Sequence, residues 1–215
     1  AGNTTGTATI TITSDLLVEG NETVILTMGS PTNATQGAIT VHTATITDDD
    51  VPTVTFTSAS QSSSAESGTM TITAQLSETS PVNVSVPFTL TGTASGGGID
   101  YSITTSPITI SAGATSANIT VTIQSDALDE DNETVIVTMG TPTNATQGAT
   151  TVHTATITDD DDPPTVTLSK STSNIVENGG TATITATLST VSGRSVTVYL
   201  GFSGTATGSG TDYTA

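Results

Sequence analysis

The sequence repeats itself, with residues 1–50 returning in closely similar form at 112–161, and this limits the fold to units of that spacing. Asp15 recurs as Asp126, and the Pro-Thr-Val-Thr sequence that begins at Pro52 returns at Pro164. Self-similarity over a long fixed period indicates tandem domains. We therefore predict the C-terminal half of one domain at residues 1–50, a complete domain at 51–162 and the N-terminal half of a third at 163–215.

Alternation of β-branched with small or polar residues predicts an all-β fold. In the complete copy such runs are bounded by Gly, Ser, Asn or Pro, and no longer segment has helical periodicity. Short strands at this spacing are typical of an antiparallel β-sandwich of immunoglobulin-like type. The predicted strands are residues 54–57, 69–76, 82–90, 118–123, 134–139 and 151–157, with a further strand at 108–110.

An acidic loop occurs at the same register in both copies. It reads Ser-Asp-Leu-Leu-Val-Glu-Gly-Asn-Glu at 14–22 and Ser-Asp-Ala-Leu-Asp-Glu-Asp-Asn-Glu at 125–133. Each loop precedes a strand-like stretch that ends in Ile-Thr-Asp-Asp-Asp, at 46–50 and 157–161. Carboxylates crowded at a strand end repel one another and lose hydration unfavourably, so they require a compensating cation. Hard oxygen ligands of this kind suit Ca²⁺.

The charge balance supports a cation and excludes some partners. The chain has 20 acidic residues, only two basic ones, Lys170 and Arg194, and a formal net charge of −18. Because residues 1–169 contain no Lys or Arg, we expect that salt bridges do not neutralise the acidic clusters. A charge of this sign argues against nucleic acid or an anionic membrane surface as direct partners.

Other chemistry has little support in the sequence. Cysteine is absent, which excludes disulfides and thiolate metal sites. No apolar stretch approaches the roughly 18–20 residues needed to cross a bilayer, so we expect no membrane insertion of this segment. His42 and His153 occupy equivalent strand positions and are predicted to be exposed surface residues. No Ser/His/Asp arrangement is visible, and we predict that the chain is not an enzyme.

Four motifs in a fixed order resemble Calx-β domains: a Glu near the first strand, Gly-x-Asp-Tyr, Asp-x-x-x-Glu and the closing Ile-Thr-Asp-Asp-Asp. The resemblance covers the whole chain and implies β-sandwiches that bind Ca²⁺ where one domain meets the next. It implies a complete site of Glu66, Asp100, Asp126, Glu130, Asp159, Asp160 and Asp161. It also implies partial sites, one of Asp15, Glu19, Asp48, Asp49 and Asp50, the other of Glu177 and Asp212.

The number of ligands predicts more than one Ca²⁺ in the complete site. One Ca²⁺ accepts about six to eight oxygens and cancels two charges. The seven predicted carboxylates therefore offer more oxygens and more negative charge than one ion can use. Mg²⁺ fits such a dense set of loop carboxylates less well, because it demands octahedral geometry.

These features together predict a calcium-binding structural repeat segment of a long extracellular or cell-surface fibre, filament or adhesin. Both aspartate blocks lie just before prolines, at Pro52 and Pro163, so the expected metal would stiffen the joints between domains. The expected partners are neighbouring repeats or identical subunits placed end to end, together with a cell-surface or matrix ligand.

Two other classes of protein fit the sequence less well. A calcium-sensing regulatory module attached to a transporter or enzyme is the alternative, although near-identical repeats favour the structural role. Cadherin-like modules are a third class, but their Asp-x-Asn-Asp-Asn linker is absent.

The half-domains at the two ends allow two arrangements. The chain can be a segment of a longer array of domains, or a protomer whose half-domains complete the half-domains of its neighbours. The first is favoured, because joining 163–215 to 1–50 would omit the counterparts of residues 104–111, which include an apolar strand.

Overall fold

The computed structural model describes residues 2–63 and 65–215, a range that contains fifteen strands and no helix. Within that range, no helix is long and apolar enough to span a membrane. The strands are β1 (Glu22–Thr27), β2 (Val41–Ile46), β3 (Thr53–Phe56), β4 (Ser60–Ser62), β5 (Thr69–Leu76), β6 (Val84–Val86), β7 (Phe88–Gly92), β8 (Tyr101–Ile103), β9 (Ile108–Ile110), β10 (Ser116–Ile123), β11 (Glu133–Met139), β12 (Thr146–Gln147), β13 (Val152–Ile157), β14 (Val166–Lys170) and β15 (Ile184–Leu188).

The central unit, strands β3 to β13, is a β-sandwich. One sheet has the order β12-β3-β5-β10-β8 and the other the order β4-β13-β11-β7, while β6 and β9 form a separate ladder. Most ladders are antiparallel, but β12 pairs with β3 and β4 pairs with β13 in parallel, at the edges of the two sheets. The predicted all-β fold with an immunoglobulin-like β-sandwich is confirmed.

The core of the central unit is aliphatic and lies between the two sheets. Ile72 on β5 and Val121 on β10 are buried from one side, and Val135 and Val137 on β11 from the other. Along each of these strands buried and less buried residues alternate, as the two-residue period of a strand requires. Threonines therefore occupy the outer faces, where β-branched side chains are well tolerated.

The predicted strand at 82–90 is two strands, β6 and β7, which join different ladders. Pro87 separates them, because proline has no N–H to donate to a ladder. Its carbonyl instead accepts a bond from the Gly140 N–H, with an N to O distance of 2.8 Å. The short strands β4, β8 and β12 were not predicted.

The prediction of an exposed His153 is wrong. This side chain is only 1% exposed, because β13 alternates and places it on the core face with Ala155 and Ile157. The ring packs edge-on against Phe56, and Nδ1 donates to the Ser58 carbonyl oxygen at 2.7 Å. The equivalent His42 on β2 is exposed, as predicted.

The terminal segments repeat parts of this architecture. Strands β1 and β2 pair from Glu22↔Ile46, and β11 and β13 pair from the equivalent Glu133↔Ile157, so the register is the same. Strands β14 and β15 form an antiparallel ladder like that of β3 and β5. Apolar side chains of these segments are widely exposed, for example Tyr199 at 92%.

Candidate metal centre

Four separate segments of the central unit converge at one end of the sandwich. Because β11 and β13 are antiparallel, the acidic loop before β11 lies beside the aspartate block after β13. The start of β5 and the end of β10 reach the same end, where the Ile123 N–H donates to the Gly68 carbonyl at 3.0 Å. The Gln124 N–H donates to the Asp100 carbonyl at 2.8 Å and brings the fourth segment there.

The convergence forms two groups of three carboxylates. Within each group, one oxygen per residue lies within 4.8 Å of the others, close enough for the three to coordinate a single cation. Five members were predicted from the sequence, and Glu133, the first residue of β11, was missed. One group is Glu66, Asp126 and Asp161, and the other is Asp100, Glu130 and Glu133.

Asp159 and Asp160, also predicted as ligands, belong to neither group and instead make bonds to the backbone. Asp159 Oδ1 accepts from the Glu130 N–H at 3.1 Å, and Asp160 Oδ1 accepts from the Glu66 N–H at 3.0 Å. Each of these contacts therefore positions a residue of one carboxylate group. Their role as metal ligands remains a prediction.

The acidic loop has the same internal bonds in both copies. In the central unit, Asp126 Oδ1 accepts from the Leu128 N–H at 2.8 Å, and in the N-terminal copy Asp15 Oδ1 accepts from the Leu17 N–H at 2.9 Å. The bond from the Glu19 N–H to Asp48 Oδ2, 3.1 Å, repeats that of Glu130. The predicted N-terminal residues border one cleft of about 490 Å³, lined among others by Asp15, Glu19, Glu22, Asp48, Asp49 and Asp50.

The C-terminal segment contains a smaller part of the arrangement. Asp212 Oδ2 accepts from the Thr207 N–H at 2.6 Å, as Asp100 Oδ2 accepts from the Ser95 N–H in the central unit. Glu177 is exposed and, like Asp212, belongs to neither carboxylate group.

Burial and neighbouring negative charges raise the pKa of four carboxyl groups in the central cluster. Burial, together with the charges of Asp126 and its neighbours, raises the pKa of Glu66 to about 7. Burial, a side-chain hydrogen bond with Asp100 and nearby charges raise the pKa of Glu133 to about 7. Burial is also the main cause that raises the pKa of Glu130 and of Asp161. The cluster is thus costly to ionise without a cation.

The raised pKa values predict that the chelated protein is more stable in mild acid. The folded state holds protons on Glu66 and Glu133 up to a pKa of about 7, whereas the unfolded state loses them near the ordinary value of 4.5. This stabilisation is complete below the ordinary pKa and is lost as pH rises through about 7. We expect a melting temperature several degrees higher at about pH 5 than at about pH 7.5 in chelator. Replacing both residues with Gln should flatten the profile, and a flat profile in the unmodified chain would contradict the assignment.

The expectation that salt bridges do not reach the acidic clusters is wrong for the acidic loop of the central unit. Arg194 reaches it from the C-terminal segment, with Nη1 3.2 Å from Asp129 Oδ1 and Nε 3.0 Å from Asp131 Oδ1. Its Nη2 lies 3.8 Å from Asp159 Oδ2 and donates to the Glu130 carbonyl. Chain folding brings this residue back from beyond residue 169, so a salt bridge does reach the acidic loop.

The fold and the site of the central unit together define a class, β-sandwich modules with carboxylates gathered at one end of the sandwich. The profile of the Calx-beta domain matches residues 1–50, 47–161 and 159–215, and the chain belongs to the Calx-beta family. No curated protein sequence is similar enough to the chain to count as a match.

Solved structures of this fold are similar to about half of the chain. CBD12 from CALX1.2 is 19% identical, with a TM-score of 0.45, and the match covers 51% of this chain and 44% of that one. The apo-form Calx CBD1 domain is 18% identical, with a TM-score of 0.44, and the match covers 52% of this chain and 100% of that domain. The Calx CBD2 domain is 13% identical, with a TM-score of 0.42 and coverages of 49% and 85%.

Proposed function

We propose that this chain is a calcium-binding structural segment of a long extracellular or cell-surface fibre, filament or adhesin, in which Ca²⁺ stiffens the joints. Calx-beta domains are calcium-binding modules, and the chain belongs to that family. The observation that carries the structural role is the placement of the acidic loop. In both copies it adjoins an aspartate block that leads directly into a proline-containing linker, at Pro52 and at Pro163.

The two carboxylate groups support at least two ions in the central site. Each group supplies three carboxylates within coordination range of one another, and one Ca²⁺ cancels only two charges. A single ion would leave the other group crowded and without compensation. Asp161 belongs to one group, while Asp159 and Asp160 contact Glu130 and Glu66. Ions bound here would therefore tie the end of β13 to the loops beside it.

The effect on the joint follows from this connection. Without metal, the aspartates after β13 repel the rest of the cluster, and the chain leaving the domain is pushed away from it. With metal, that chain is fixed to its own domain up to the linker, and Pro163 and Pro164 restrict the torsions that remain. Neighbouring repeats or identical subunits placed end to end, and a cell-surface or matrix ligand, are the partners that such a segment would have.

Small-angle scattering of the whole chain should detect the stiffening. We expect chelator to increase the flexibility seen in the scattering profile, because the linkers lose their tie to the domains. The β-sheet content measured by circular dichroism should stay the same, since the sandwich core does not include the linker. Identical scattering profiles in calcium and in chelator would contradict the proposed role, even if calcium were shown to bind.

A further inference from the structure

The C-terminal segment docks on the central unit through one tight turn, the tripeptide 192–194. The Ser192 hydroxyl donates to Asp129 Oδ2 at 2.9 Å, and the Gly193 N–H donates to the Asp129 carbonyl at 2.9 Å. Arg194 forms ion pairs with Asp129 at 3.2 Å and with Asp131 at 3.0 Å. The Asp129 side chain is only 6% exposed, so its charge is largely removed from water and depends on these partners.

The central unit has the equivalent turn one repeat earlier, at 80–82. Ser80 Oγ accepts from the Val82 N–H at 3.2 Å, just as Ser192 Oγ accepts from the Arg194 N–H at 3.1 Å. This earlier turn, 80–82, faces residues 18–20 of the N-terminal acidic loop across a cleft of about 400 Å³, which Asp48, Asp50 and Asn144 also line. The two joints therefore use equivalent parts of the fold.

The chemistry of the two joints differs at equivalent positions on both sides. On the acidic loop, Asp129 stands where the first copy has Val18, and Asp131 stands where it has Gly20. On the turn, Arg194 stands where the earlier turn has Val82. Two acidic residues and the arginine that pairs with them thus occur together in one joint, whereas uncharged residues occupy all three positions in the other.

The middle residue of the turn also differs between the two joints, being Gly193 in one and Pro81 in the other. Gly193 approaches so closely that a Cβ there would lie 2.7 Å from Glu130 Cγ, closer than side-chain atoms pack. Its N–H is also the donor to the Asp129 carbonyl. The earlier turn has Pro81, which carries a ring and has no N–H, so this bond cannot form there.

We propose that the joint with Asp129, Asp131 and Arg194 is ionic, that the joint with Val18, Gly20 and Val82 at the equivalent positions is apolar, and that this difference selects the neighbour that each domain accepts. The turn with Arg194 fits a preceding domain whose loop carries Asp129 and Asp131, and the turn with Val82 fits one whose loop carries Val18 and Gly20. In a mismatched order, either Asp129 or Arg194 would be desolvated without its partner, which disfavours the wrong neighbour. The contacts are between protein groups, so we expect the difference between the two joints both in calcium and in chelator, although chelator would loosen both joints.

Distances between spin labels on the full chain, measured both in calcium and in chelator, test the proposal. Cysteine is absent, so Thr109→Cys with Thr167→Cys labels the ionic joint alone, and Thr43→Cys with Thr109→Cys labels the apolar joint. In the ionic joint we expect Arg194→Val to lower the ratio of docked to undocked molecules by about tenfold. The triple variant D129V/D131G/R194V, which carries the residues of the apolar joint at these three positions, should recover most of that ratio. Lys170→Val, which removes the other basic residue, should have no effect.

A second measurement leaves the joints unmutated. Raising the salt concentration to about 1 M shortens the screening length to about 3 Å, so it should broaden the distances across the ionic joint and leave the apolar joint unchanged. Equal responses of the two joints to salt would overturn the proposal. So would an Arg194→Val variant with unchanged distances, or a triple variant no better docked than Arg194→Val.

Discussion

Calcium is expected to stabilise the folded chain by about 2.7 kcal/mol when it is present at a hundredfold excess over its dissociation constant. The gain arises because the two carboxylate groups are assembled only in the folded state. Scanning calorimetry in calcium and in chelator measures it as a rise in melting temperature. The double variant Asp126→Asn with Glu133→Gln removes one carboxylate charge from each group and should abolish most of the rise.

The same double variant also tests how the clustered charges affect the melting temperature when calcium is absent. In chelator, the double variant should melt at a higher temperature than the unmodified chain, because two repelling charges have been removed. Glu78→Gln is the matched control, since Glu78 follows the opposite end of β5 from Glu66 and belongs to neither group. It should leave the calcium response of the central unit intact. Superimposable melting curves of the unmodified chain in calcium and in chelator would refute the metal site.

His153→Ala is expected to destabilise the central unit by about 3 kcal/mol. The substitution leaves a cavity beside Phe56 and deprives the Ser58 carbonyl of its donor. The matched control is His42→Ala, at the equivalent position of β2, where the side chain is exposed and the cost should stay within about 0.5 kcal/mol. Urea unfolding followed by circular dichroism measures both. Equal effects of the two substitutions would contradict the burial of His153.

The sequence predicted the strands in which apolar core residues alternate with polar or small residues. Strand β5 matches its predicted bounds, 69–76, because one of its faces is entirely core. The polar β4, Ser60–Ser62, has no such alternation and is a strand because it pairs with β13. His153 was misplaced although the signal was present, since it shares the parity of Ala155 and Ile157.

The repeat and the family motifs predicted most of the carboxylates in the candidate site. Five of the six clustered carboxylates were predicted from the family motifs, and Glu133 was missed although it recurs as Glu22, because it lies outside the Asp-x-x-x-Glu motif. Asp129 and Arg194 were missed for a different reason. They are the positions at which the copies differ, and only the fold brings residues so far apart in the sequence into one contact.

Counting the bound calcium tests the central claim most directly. Equilibrium dialysis of the whole chain and of the Asp126→Asn, Glu133→Gln double variant, followed by elemental analysis, gives the number of ions that depend on the central cluster. We predict that the unmodified chain retains about two more Ca²⁺ per molecule than the variant, one for each carboxylate group. Equal calcium content in the two proteins would contradict the assignment of this cluster as a calcium site.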